Sequence, residues 1–231
     1  MKKIVYLFAL LLATGSSWAN IVINGTRVIY PEKSKEVIVQ LVNNGDDPSL
    51  VQSWIDDGDI NSTPETARVP FLLSPPVVKV SGHNGQQLRI KKLPALLPGD
   101  RESVFYLNVL DIPPVPENLK NQNTVQLAIK SRIKLFYRPL SLRGSLDDAL
   151  TKMEIQAESR EIRLVNNSPF HITVANIAIS GKELLLNDAV MVNPFSQASA
   201  SAKRPIAKGQ TIQVKYVDDL GAYKSKSFVV R

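Results

Sequence analysis

The stretch TVQLAIKSRIKLFYRP, Thr124 to Pro139, decides how the rest of the chain is read. Val125, Leu127, Ile129, Ile133, Leu135 and Tyr137 occupy odd positions, while Gln126, Lys130, Arg132, Lys134 and Arg138 occupy even ones. A strand with this period of two has one apolar face and one cationic face. At ~3.3 Å per residue it runs the length of a small sandwich domain. Parity alone leaves two uses open for Val125, Leu127 and Ile129: an ordinary core face, since Ile133 and Leu135 continue it, or a strip lent to another protein.

On either side of this stretch the chain is β-rich. Asn20 to Tyr30, closed by Pro31, Lys35 to Val42, and Leu50 to Ile55 with Trp54 as a core aromatic read as strands, as do Pro70–Leu73, Val77–Val80, Gln87–Lys91 and Ser103–Leu110. Short strands separated by turn signals, with the long one last, describe an all-β sandwich of immunoglobulin-like size over residues 20–139. Residues 140–145 form a linker, and SLDDAL makes a helical turn capped by Ser145. A second β-rich block, residues 146–231, has strands at Lys152–Gln156, Glu161–Val165, Ile172–Ile179, Ala189–Val192, Thr211–Val217 and Lys224–Val230.

Residues 1–19 read as an export signal: Lys2 and Lys3, an apolar run from Ile4 to Ala13, then a small-x-small ending at Ser17, Trp18 and Ala19. The mature chain is expected to begin at Asn20. No other stretch approaches ~20 apolar residues, so a protein embedded in a membrane is not expected. There are no cysteines, which together with export fits a periplasm. Removing Lys2 and Lys3 leaves 26 of the 28 cations against 21 acids, a net +5. That charge suits acidic partners, but export argues against nucleic acid.

No catalytic constellation is present. His83 and His171 are the only histidines and lie far apart, no cysteine is available for zinc, and GxSxG, Walker and GxGxxG motifs are missing. Asp57, Asp59 and Asn61 open like a calcium loop, but Ser62 stands where glycine is needed and Arg68 where the bidentate glutamate falls. No enzyme, metal or cofactor is expected.

Particular motifs carry a family resemblance. LLPGDRESVFYLNVLDIPP (Leu96 to Pro114), RIKLFYRP (Arg132 to Pro139), NGTRVIYP near Asn24, and the later turns NNSPF, VNPFSQ and VDDLGAY together resemble the periplasmic pilus chaperones of the PapD-like family over nearly the whole mature chain. The resemblance implies two immunoglobulin-like domains in a boomerang and binding of pilus subunits by donor-strand complementation. Subunits would then pass to an outer-membrane usher. Arg27 and Lys134 match the family's anchor for the subunit's C-terminal carboxylate, and Val125, Leu127 and Ile129 match its groove-filling residues. Glu102, Arg138 and Asp219 match an interdomain ionic network. The short connection from Pro113 to Asn123 resembles the short-loop branch, which serves rod-like pili.

A carboxylate suits two charge-assisted donors physically, because they give it direction as well as energy. The competing reading is a secreted β-sandwich adhesin or polyanion-binding module using Lys130, Arg132 and Lys134 as a cationic face. An exposed apolar strand also invites self-association of the free chain.

Overall fold

The computed structural model describes residues 20–115, 122–123, 125–179 and 183–231, with the side chain of residue 183 left out. The expected export signal, part of the connection before the long strand, and Thr124 lie outside the described residues.

The first sandwich contains β1 (Ile21–Ile23), β2 (Arg27–Pro31), β3 (Val37–Asn43), β4 (Ser49–Asp56), β5 (Phe71–Ser74), β6 (Val77–Val80), β7 (Gly85–Lys92), β8 (Ser103–Ile112) and β9 (Ile129–Arg138). They form two sheets, ordered β1-β3-β7-β5 and β2-β9-β8-β4-β6. Alternation dictates the packing: Leu41, Leu88 and Ile90 from one sheet meet Val51, Leu107 and Leu135 from the other in a continuous core. Beyond the linker come helix α1 (Leu146–Thr151), β10 (Met153–Glu158), β11 (Glu161–Asn166), β12 (Ile172–Ile179), β13 (Glu183–Leu184), β14 (Val190–Val192), β15 (Ser196–Ser201), β16 (Thr211–Val217) and β17 (Tyr223–Val229). Here too two sheets enclose a core, built around Ile155, Leu164, Ile172, Val174 and Val214. The molecule is therefore a pair of immunoglobulin-like sandwiches. Ser145 caps α1 as expected, in a reciprocal capping box with Asp148.

Three readings change in the structure. The N-terminal run is two strands, not one. β1 pairs antiparallel with β3 and β2 pairs parallel with β9, so the chain changes sheets between them. Gly25 makes the crossing at φ +121°, a conformation closed to L side chains without strain. The long strand begins at Ile129, not Thr124. Its ladder with β8 starts at the pair Asp111–Ile129, and β8 ends one residue later at Ile112, so Val125 to Ala128 have no partner strand. Trp54 is buried but outside the sandwich core. It stands opposite Asn108 on the outward face, with its indole N–H donating to Ser62 Oγ at 3.2 Å and the loop after β4 covering it.

Parity splits along the long strand. Leu135 and Tyr137 are 0% and 4% exposed, whereas Val125, Leu127 and Ile129 are 89%, 74% and 55% exposed. We expect Leu135→Ala to cost about 2–5 kcal/mol in urea unfolding, as other core truncations do. Leu127→Ala should change stability by less than about 0.5 kcal/mol, because it leaves no cavity.

Candidate functional site: the open edge of β9 and its cations

β9 is paired with β8 along Ile129 to Tyr137, but on its other side β2 pairs only with Lys134 to Arg138. Residues 129–133 therefore present one open strand edge, a row of backbone groups that a further strand can pair with. The open edge stops where β2 starts. At that point Arg27, the first residue of β2, stands beside Lys134 in the parallel register.

Phe105, Leu107 and Leu135 face the core, so Tyr106, Asn108, Arg132 and Lys134 face outward, together with Trp54 and Asp56 of β4. Lys134 is in the backbone ladders on both sides, but its ammonium has no hydrogen bond or ion pair with any described residue. Burial pushes its ammonium below the usual lysine range, and the neighbouring charges of Arg27 and Arg132 push it the same way. Arg27 donates from Nη1 to the Val217 carbonyl at 3.3 Å and lies 5.6 Å from the Phe136 ring centre, while its buried Nε has no acceptor. Burial lowers the Arg27 pKa as well, partly offset by Asp219, Asp218 and Glu102. Two adjacent, half-buried cations that disfavour one another make a seat for an anion, and a carboxylate there relieves both.

The neighbouring cations are already committed. Arg132 grips Asp56, whose side chain is 1% exposed, with Nε 3.1 Å from one carboxylate oxygen and Nη2 on the other. Asn108 Nδ2 donates to the same carboxylate at 2.6 Å and the Gly58 N–H at 2.7 Å. Burial alone would raise the Asp56 pKa, but these hydrogen bonds hold it below the usual carboxylate range. The Arg132 guanidinium also stacks 3.7 Å from the Tyr106 ring centre. Lys130 is drawn sideways, donating to the Ile60 carbonyl at 3.0 Å. Of the three cations required by a polyanion-binding module, only Lys134 thus has a charged group without a partner among the described residues.

The structure brings Glu102, Arg138 and Asp219 together at the domain junction. Arg138 Nε donates to Glu102 Oε1 at 2.7 Å, and its two terminal nitrogens hold both oxygens of Asp219 at 2.7 and 2.9 Å. Glu102 also accepts from the His171 N–H at 2.8 Å, and its own N–H donates to the Pro169 carbonyl at 2.9 Å, tying β8 to the second sandwich. The His171 ring packs at a tilt against Phe136, 5.3 Å between ring centres. Sequence reasoning missed the parts played by Asp56, Asn108 and His171. Their partners lie 52 to 76 residues away, and no local pattern marks them.

The profile described as "Pili and flagellar-assembly chaperone, PapD N-terminal domain" matches residues 20–143, and "Pili assembly chaperone PapD, C-terminal domain" matches residues 148–228. The chain is similar to the chaperone protein MrkB of Klebsiella pneumoniae, 40% identical over 225 residues that cover 96% of this chain and 96% of the relative. The chaperone protein HifB of Haemophilus influenzae is 42% identical over 211 residues, 90% of this chain and 86% of the relative. The crystal structure of the Pseudomonas aeruginosa CupB2 chaperone superimposes with a TM-score of 0.77 at 30% identity, over 91% of this chain and 100% of that one.

Two outcomes follow from the ion pairs. Arg138→Ala leaves the buried Glu102 carboxylate without its cation and should cost about 3–5 kcal/mol in chemical unfolding. Asp56 has a folded pKa below its unfolded value of about 3.9, so its contribution is complete above that pH and is lost as pH falls through the folded pKa. Asp56→Asn should therefore be less stable than the unaltered protein at pH 7, with the gap narrowing below about pH 4 in unfolding measured across pH.

Proposed function

Because the chain belongs to the PapD-like family of pilus-assembly chaperones, we propose that it works in the periplasm by lending β9 and the residues before it to incomplete pilus subunits and releasing them to an outer-membrane usher. The observation that carries this reading is the open edge of residues 129–133, together with three exposed apolar side chains of one parity at and before its start, Val125, Leu127 and Ile129. A subunit strand that pairs with this edge gains backbone hydrogen bonds, while its sandwich receives the apolar residues in alternate pockets; capture of pilins in this way is the type case of strand addition.

The direction of the incoming strand follows from β2. β2 runs parallel to β9 and begins at Arg27, so a strand on the open edge that meets Arg27 with its C-terminus lies in line with β2 and is also parallel to β9. Its terminal carboxylate then sits between Arg27 and Lys134. The division of labour is physical. Three buried aliphatic side chains at roughly 1.5–3 kcal/mol each supply affinity before ordering costs, and loss of a buried charge partner commonly costs about 2–5 kcal/mol. Covering the strand edges of a subunit also removes its aggregation hazard, an activity that asks for no reaction and no cofactor. Glu102, Arg138 and Asp219 hold the two sandwiches in the relation that keeps Arg27 against Val217. The sequence from Pro113 to Asn123 resembles the short-loop branch, and free chains are expected to pair through their exposed strands.

Co-expression with pilin-like subunits in a periplasm tests the reading. The unaltered protein should co-purify with a stoichiometric subunit, and Arg27→Ala or Lys134→Ala should reduce recovery at least tenfold while the chaperone keeps its own unfolding midpoint. Full recovery with a folded Lys134→Ala protein would overturn the anchor.

A further inference from the structure

We infer that Asp56 is a positioning residue: by neutralising Arg132 it leaves Arg27 and Lys134 as the one place on β9 where a subunit's carboxylate can seat, and so excludes binding slipped by two residues. The inference rests on the anchor reading of Arg27 and Lys134 and adds what makes that anchor unique.

The need arises from the period of a strand. A one-residue slip turns every side chain to the wrong face and is rejected by the apolar pattern. A two-residue slip keeps every face and is not. β2 occupies the edge from Lys134 onward, so an incoming strand cannot overshoot Arg27, but nothing in the backbone prevents it from stopping short. Two residues short, about 6.6 Å along the strand, its carboxylate meets Arg132, which lies on the same outward face as Lys134. A free guanidinium there would be a competing anchor. In the structure both oxygens of buried Asp56 occupy the edge of that guanidinium, Asn108 and the Gly58 N–H fix the carboxylate from behind, and Tyr106 covers a face of Arg132. The next cation back, Lys130, is turned onto the Ile60 carbonyl.

The test is an acetate titration of the ¹⁵N-labelled full chain, reading the side-chain nitrogens of Arg27, Arg132 and Lys134 by NMR. In the unaltered protein acetate should shift Arg27 Nε and Lys134 Nζ in one saturable process and move Arg132 Nε less than a tenth as far. In Asp56→Asn the Arg132 Nε shift should rise to within twofold of that at Arg27, with a second saturable site. The double variant Asp56→Asn/Arg132→Gln should return to a single site at Arg27 and Lys134, a rescue that a purely structural role for the pair does not give. Acetate that moves Arg132 together with Arg27 and Lys134 in the unaltered protein, or a folded Asp56→Asn with a silent Arg132, overturns the inference and leaves the anchor standing. Acetate that moves none of the three overturns both. If Asp56→Asn fails to fold, the comparison of the three side chains in the unaltered protein decides alone.

Discussion

β2 covers only part of β9, and the site depends on that incomplete pairing. The N-terminal segment first completes one sheet as β1, crosses at Gly25, and joins the other sheet only at Arg27. A strand that joined earlier would close the edge of residues 129–133 and leave no place for a partner. One that joined later would move Arg27 away from Lys134. The crossing thus sets the length of the open edge and puts a cation at its end.

Around that edge, charges fall into two groups with different physics. Arg132 and Arg138 each hold a carboxylate that is almost wholly buried, Asp56 and Glu102, in multiply hydrogen-bonded arrangements. Such pairs add little net stability compared with apolar packing, but their geometry is demanding, and breaking them is costly. They specify arrangement: one shapes the outward face of the sheet, the other joins the sandwiches. Arg27 and Lys134 are desolvated without a matching carboxylate in contact, so their burial is a standing preference for an anion. The apolar residues that precede them show the same incompleteness, since Val125 and Leu127 lie in no ladder and against no core. In the proposed reading both deficits are met by one partner, a strand with a groove beside it and a free carboxylate at its end.

Much of this was legible in the sequence where the determinants are local. Alternation marked most strands to within two residues, and Ser145 announced its capping box because both partners lie within one turn. β15 went unread because SQASAS carries no β-branched or aromatic signal; it is a strand because small Ala198 and Ala200 fit beside β11 over the core. Trp54 is buried, as its aromatic character implies, but its face could not be read, because both faces of β4 are buried at that point, one by the core and one by the following loop. Where the long strand begins could not be read from its own parity, since the limit is the end of its neighbour β8. Arg27, Lys134, Glu102, Arg138 and Asp219 came from motif resemblance. Asp56, which carries neither motif nor periodic signal, emerges only when β4, β8 and β9 are seen side by side.

The measurement that bears most directly on the account is amide hydrogen exchange along residues 125–138, in the free protein and in a purified complex with a pilin-like subunit. Leu135 to Tyr137 are buried and paired on both sides, and should be protected in both. Val125 to Ala128, and those amides of Ile129 to Ile133 that point away from β8, should exchange readily in the free protein and become strongly protected in the complex, with the new protection ending at Lys134. Protection that appears on another strand edge, such as β17, while Val125 to Ile133 stay unchanged would contradict the account.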